Sequence, residues 1–86
     1  MFLVITRNFP PDIGGMQTLM GGLSESLINH GPVKVFTYEF PNSDKYDDKS
    51  EMNIERIKGI KLFRKYRKAS LANDFINKNS NIRAIF

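Results

Sequence analysis

The sequence predicts an α/β protein built on a parallel sheet, and three observations carry that reading. Phe2 to Ile5 is a short apolar run without alternation, the pattern of a strand covered on both faces. A loop rich in proline and glycine separates it from a segment with apolar residues at Met16, Leu19, Met20, Leu23 and Leu27, the three-and-four spacing of one helical face. A second apolar run, Val33 to Tyr38 (VKVFTY), follows directly. Strand, helix and strand within 38 residues make a βαβ unit, whose crossover is expected to be right-handed.

The elements follow in order. The first strand runs from Phe2 to Ile5 or Thr6. Phe9 precedes a proline, which biases it to extended geometry, and Pro10-Pro11 stiffen the exit from the strand. The helix opening at Met16 has clear stop signals: His30 in its last turn, Gly31 suited to a left-handed position, and Pro32, which cannot continue it. Phe40 to Glu51 reads as a polar loop, and Asn53 to Lys58 as a weaker, alternating strand suited to a sheet edge. Leu62 to Asn77 predicts a second helix with Leu62, Tyr66, Ala69, Ala72 and Ile76 on its apolar face. Ile82 to Phe86 (IRAIF) reads as the start of a further strand, giving the order β-α-β-β-α-β.

Composition sets bounds on function. Eighty-six residues allow one small domain, burying about 60–65% of the surface of its unfolded chain. A hydrophobic content of 41% is globular rather than disordered. Cysteine is absent, which excludes a disulfide framework and any thiolate nucleophile or metal ligand. The amino-terminal run lacks the basic flank of a signal peptide, and no apolar run approaches membrane-spanning length, so a cytoplasmic protein is expected. The chain stops inside an apolar segment after few strands for such a sheet, so it reads as the opening half of a domain.

The loop Asn8-Phe9-Pro10-Pro11-Asp12-Ile13-Gly14-Gly15 carries the chemistry. Adjacent glycines at the mouth of a helix admit positive φ and let a ligand approach the main chain. Successive N–H groups, reinforced by the positive end of the helix dipole, then form an anion-binding concavity. The alternative is a tight turn and nothing more. No G-x-G-x-x-G is present, and Gly21-Gly22 falls inside the helix, where it is expected to allow close packing on the sheet.

The string Phe2-Leu3-Val4-Ile5-Thr6-Arg7-Asn8-Phe9-Pro10-Pro11-Asp12-Ile13-Gly14-Gly15-Met16-Gln17 is followed by Leu23-Ser24-Glu25-Ser26-Leu27 and Gly31-Pro32-Val33-Lys34-Val35. Together these resemble the N-terminus of GT-B glycosyltransferases, specifically the family-4-like retaining enzymes. Their first loop reads F-P-P-x-x-G-G and their first helix L-x-x-x-L-x-x-x-G. The likeness is strong over residues 1–38, modest through the third strand and faint across the second helix.

That resemblance implies a partial Rossmann-like parallel sheet, residues 1–86 forming the incomplete first half of an N-terminal domain without its C-terminal donor-binding partner. It implies transfer of a sugar from a nucleotide-sugar donor to a glycan or lipid-linked acceptor, in cell-envelope glycan or glycolipid synthesis, with no metal or other cofactor. Gly14 and Gly15 would face the donor diphosphate, with Met16 and Gln17 opening the helix aimed at the leaving group. Arg7, Asn8 and Asp12 would line an acceptor cleft. No catalytic residue is assigned: the family's paired-glutamate segment and later cleft histidine are absent, and His30 reads as a helix-end residue near the dipole. The chain by itself is therefore expected not to catalyse transfer.

The net charge of +4 is unevenly placed. Seven basic residues (Arg56, Lys58, Lys61, Arg64, Lys65, Arg67 and Lys68) follow an acidic loop with Asp44, Asp47, Asp48 and Glu51. A solvated helix face is the plain reading. A second makes Lys61, Arg64, Lys65, Arg67 and Lys68 a surface for anionic lipid, which would place the protein peripherally at the inner face of the membrane. Nucleic acid is not an expected partner, because no recognised motif accompanies the charge. The alternatives to an enzyme fragment are a stand-alone phosphate- or nucleotide-binding module and, behind it, a basic nucleic-acid binder. Open sheet edges predict self-association of the isolated chain.

Overall fold

A computed structural model describes residues 1–58, 61–79 and 81–86; the side chains of residues 61–63 and 65 lie outside that description. The elements are β1 (Phe2–Ile5), α1 (Gly15–Ile28), β2 (Val33–Tyr38), α2 (Ser43–Lys49), β3 (Asn53–Ile57), α3 (Lys61–Lys78) and β4 (Ala84–Ile85). All strand pairs are parallel and the order is β3-β2-β1-β4. The chain builds outward from β1 to β3, then crosses to the other side of β1. That order is compatible with the first half of a Rossmann-like, doubly wound sheet.

The sheet is covered on both faces, which explains why β1 and β2 read as unbroken apolar runs. Successive side chains of a strand point to opposite faces. Phe2, Val4, Val33 and Val35 pack with Phe9, Leu27 and Met52 on the face carrying α1 and α2. Leu3, Phe36 and Ile57 pack with Ala72, Leu71, Phe75 and Ile76 of α3 on the other. Each fully buried side chain of this kind contributes about 1.5–3 kcal/mol. Lys34 is the exception within β2: it lies beneath α3 over the Phe36 and Phe75 rings and reaches Glu55 at 3.2 Å and Asn53 at 3.3 Å.

Four expectations change. The polar segment 40–51 contains α2, so the order is β-α-β-α-β-α-β; Tyr46 supplies the apolar contact that anchors this short helix against the core. The buried stripe of α1 is rotated from the predicted one: Met20, Leu23, Leu27 and Ile28 pack inward with Gly21 and Ser24, whereas Met16 and Leu19 are exposed. Their spacing suits a helical face, but the face that packs inward is centred on Met20, Ser24, Leu27 and Ile28. Gly21 does permit close packing, yet against the Pro10 ring rather than the sheet, and Gly22 faces open space. On α3 the inward residues are Leu71, Ala72, Phe75 and Ile76; Tyr66 and Ala69 are exposed, and Leu62 lies outside the described side chains.

Other expectations stand. β3 is a sheet edge, and α1 stops before Gly31-Pro32 as expected, though at Ile28, so His30 lies past its last turn; the His30 amide bonds the Leu27 carbonyl and Gly31 has a φ of 149°. The last strand is shorter than predicted but pairs with β1 in parallel register. No helix among the described residues is long and apolar enough to cross a membrane.

Candidate functional site

The β1–α1 loop leaves the carboxyl end of a central strand, where ligand crevices of open parallel sheets form. Its exit is fixed locally: the Asn8 amide donates to Thr6 Oγ1 at 3.2 Å, and Thr6 Oγ1 donates to the Asn8 carbonyl at 3.1 Å. Phe9 then turns into the core at 2% exposure, edge-on to Tyr46. The Pro10–Pro11 peptide is cis. Arg56 on β3 completes the support, donating to the Pro10 carbonyl at 2.6 Å and the Tyr38 carbonyl at 3.2 Å. Its guanidinium also engages both carboxylate oxygens of Asp47 on α2, at 2.9 to 3.2 Å.

Three of the sequence-predicted site residues meet. Gln17 Nε2 donates to Asp12 Oδ2 at 3.1 Å and to Asn8 Oδ1 at 3.4 Å, tying the first turn of α1 back to the start and the middle of the loop. Asp12 Oδ1 accepts from the Ile13 amide at 2.8 Å. Gly14 makes room for this knot, since a Cβ there would stand 2.3 Å from Gln17 Oε1. Its φ of 164° is extended, so the glycine is required by space and not by backbone conformation. Gly15 opens the helix with nothing within 4 Å of an added Cβ.

The N-terminus of α1 has no side-chain cap and no acidic residue in its first turn. The N–H groups of its first turn are therefore without a side-chain cap, and the nearest carboxylate, Asp12, is bonded to the Ile13 amide and Gln17. Ile13, Met16 and Leu19 surround that end as an exposed apolar strip, with Ile13 94% exposed. His30 lies beyond the far end of the helix, roughly 20 Å away for fourteen residues at 1.5 Å each.

Beside the loop, at the carboxyl ends of β1 and β2, lies a crevice of about 400 Å³. Arg7, Asn8, Asp12, Tyr38, Glu39 and Arg64 are among its lining residues, so the three residues read as an acceptor cleft share one concavity. Arg64 was not separable from the rest of the basic run by sequence. It and Lys68 both stand 4.5 Å from the Tyr38 ring centre. The predicted membrane-facing patch is thereby divided: Arg64 and Lys68 turn over the end of β2, Arg67 donates to the Lys58 carbonyl at 3.0 Å, and the side chains of Lys61 and Lys65 lie outside the described residues. Arg56, in the same basic run, also lines this crevice, but its guanidinium is held by Asp47 and by the Tyr38 and Pro10 carbonyls.

No family model matches the chain, and neither does any curated protein or solved structure.

Proposed function

We propose that this chain is the N-terminal α/β portion of a retaining, nucleotide-sugar-dependent glycosyltransferase, its β1–α1 loop facing the donor diphosphate. The observation that carries the reading is the uncapped, acid-free N-terminus of α1, held at the carboxyl edge of a 3-2-1-4 parallel sheet by a loop reading Phe9-Pro10-Pro11-Asp12-Ile13-Gly14-Gly15. Preorganised N–H donors at such a position stabilise charge on a departing nucleotide. Gly14, Gly15, Met16 and Gln17 are assigned to the donor side, and Arg7, Asn8 and Asp12 to the acceptor side. Within this reading Asn8 and Asp12 also hold Gln17, so the two sides share one hydrogen-bonded support. The acceptor is a glycan or lipid-linked compound of cell-envelope synthesis, met in the cytoplasm or at the inner membrane face.

The chain supplies one face of a cleft, and the proposal assigns it binding rather than turnover. Titration with UDP and GDP, followed by NMR at the backbone amides of Gly14, Gly15 and Met16, tests it. Shifts confined to those amides support the reading. Silence at millimolar nucleotide ends it.

A further inference from the structure

The inward stripe of α3 changes character along its length. Leu71, Ala72, Phe75 and Ile76 pack on the sheet, and one and two turns earlier the same stripe continues as Lys68 and Arg64. Residues at i and i+4 lie one above the other on a helix. Both cations therefore stand over the same feature, the Tyr38 ring at the carboxyl end of β2. Two like charges at 4.5 Å from one ring repel each other, and the ring quadrupole offsets only part of that. Among the described residues neither has an acidic partner in ion-pair range.

The acidic groups nearby are committed elsewhere. Glu39 pairs with Lys58 at 3.6 Å, and Asp12 accepts from Gln17 and the Ile13 amide. Asp47 is held by Arg56. Arg64 Nε is buried and has no hydrogen-bond acceptor among the described residues. Buried donors without acceptors are rare and costly in folded proteins. Arg7, exposed, lines the same crevice as Arg64. The crevice of about 400 Å³ is thus lined by the Arg64 guanidinium, whose Nε lacks an acceptor among the described residues, and by a second cation, Arg7. Guanidinium forks match the planar pairs of oxygens of phosphate groups.

We propose that Arg64, Lys68 and Arg7 form a subsite for a phosphomonoester, with Tyr38 as the platform that fixes the two α3 cations. Assigning that phosphate to the acceptor rests on the transferase reading above; the phosphate site itself does not. The group comes either from a soluble phosphorylated sugar or from a lipid headgroup, since the recognising chemistry is the same.

The test uses the isotope-labelled 86-residue chain. The Arg64 Nε–H resonance is followed at constant ionic strength during titration with inorganic phosphate and with glucose 6-phosphate. A parallel arm uses phosphatidylcholine vesicles with and without phosphatidic acid. Saturable movement of the Arg64 Nε–H signal in either arm supports the site, and the arm identifies the source. Arg64→Gln should weaken binding about tenfold, as expected for loss of a charge-assisted hydrogen bond. An Arg64 Nε–H signal unmoved in both arms at about 20 mM phosphate overturns the proposal, and this readout needs no variant to fold. Arg64→Gln binding phosphate as the unsubstituted chain does would also overturn it. UDP titration at Gly14, Gly15 and Met16 is scored separately. A phosphate-responsive Arg64 with a silent loop keeps the subsite and removes the transferase reading.

Discussion

Arg56 donates to the Pro10 carbonyl oxygen at 2.6 Å across 46 positions of sequence, joining the edge strand to the loop that opens α1. The same guanidinium grips Asp47 and the Tyr38 carbonyl and lies against the Phe9 ring, so one buried cation sets the relation of β2, β3, α2 and the glycine loop.

Replacing Arg56 with Met should therefore be severe. Its side chain is 7% exposed and that of Asp47 20%, so the substitution leaves a largely desolvated carboxylate and two carbonyls without their donor. Breaking a buried pair from one side costs about 3–5 kcal/mol. That is a large share of the stability of a domain this small. Asp47→Asn, which leaves an oxygen to accept, should cost less. Urea midpoints at unchanged slope measure both; equal and small losses would remove Arg56 from this role.

The two glycines within α1 should respond with opposite signs. A Cβ at Gly21 would stand 2.6 Å from Pro10 Cγ, in a ring with little freedom to move. A Cβ at Gly22 meets nothing within 4 Å. Gly22→Ala should stabilise by about 1 kcal/mol through helix propensity alone. Gly21→Ala gains the same propensity but should lose more through overpacking, typically about 1–3 kcal/mol. Thermal melts of the two variants side by side decide the matter.

Tyr46 should make stability fall at alkaline pH. Burial raises its phenol above 10.0; the nearby Glu25 and Asp47 charges act in the same direction, and Arg56 acts against them. The folded state then holds this proton more tightly than the unfolded chain does. The contribution is fully present below pH 10.0 and is lost as pH rises through the folded value. Tyr46→Phe should remove that part of the alkaline decline, read as the difference between the two stability–pH curves. Parallel curves above pH 10.0 would contradict it.

What the sequence made legible was whatever depended on local pattern. The unbroken runs at Phe2–Ile5 and Val33–Tyr38 identify strands covered on both faces, and Gly31-Pro32 marks the end of α1. The rotated faces were not legible, because periodicity shows that a stripe exists but not which of its residues the sheet covers. Met16 and Leu19 share the spacing of the α1 stripe yet are exposed, and Lys68 and Arg64 continue the stripe of α3 toward Tyr38. α2 was hidden because Ser43–Lys49 is polar and rests on one aromatic, Tyr46. Asn8, Asp12 and Gln17 were singled out as candidates, but their mutual hydrogen bonds required the loop to fold back on itself. Arg56 looked like one more cation in a basic run, and nothing local separates a buried Arg from a solvated one.

Gly14 and Gly15 should part company on substitution, which tests what the glycine pair is for. Neither needs a φ that side chains avoid: Gly14 is extended and Gly15 is helical. An alanine methyl at Gly15 meets open space and should leave the fold intact, with a gain of up to about 1 kcal/mol. At Gly14 the methyl would meet Gln17 Oε1 at 2.3 Å, and a flexible side chain yields before backbone does. Gln17 should swing away, releasing its bonds to Asn8 and Asp12 at a cost of about 1 kcal/mol. The Gln17 side-chain amide protons report this directly, since they should exchange faster with water in Gly14→Ala and be unchanged in Gly15→Ala. If Gly14→Ala leaves those protons as they were, the glycine is not making room for Gln17. If Gly15→Ala also weakens UDP-induced shifts at the Met16 amide while the fold is intact, the absence of a Cβ at that position serves the ligand and not the chain.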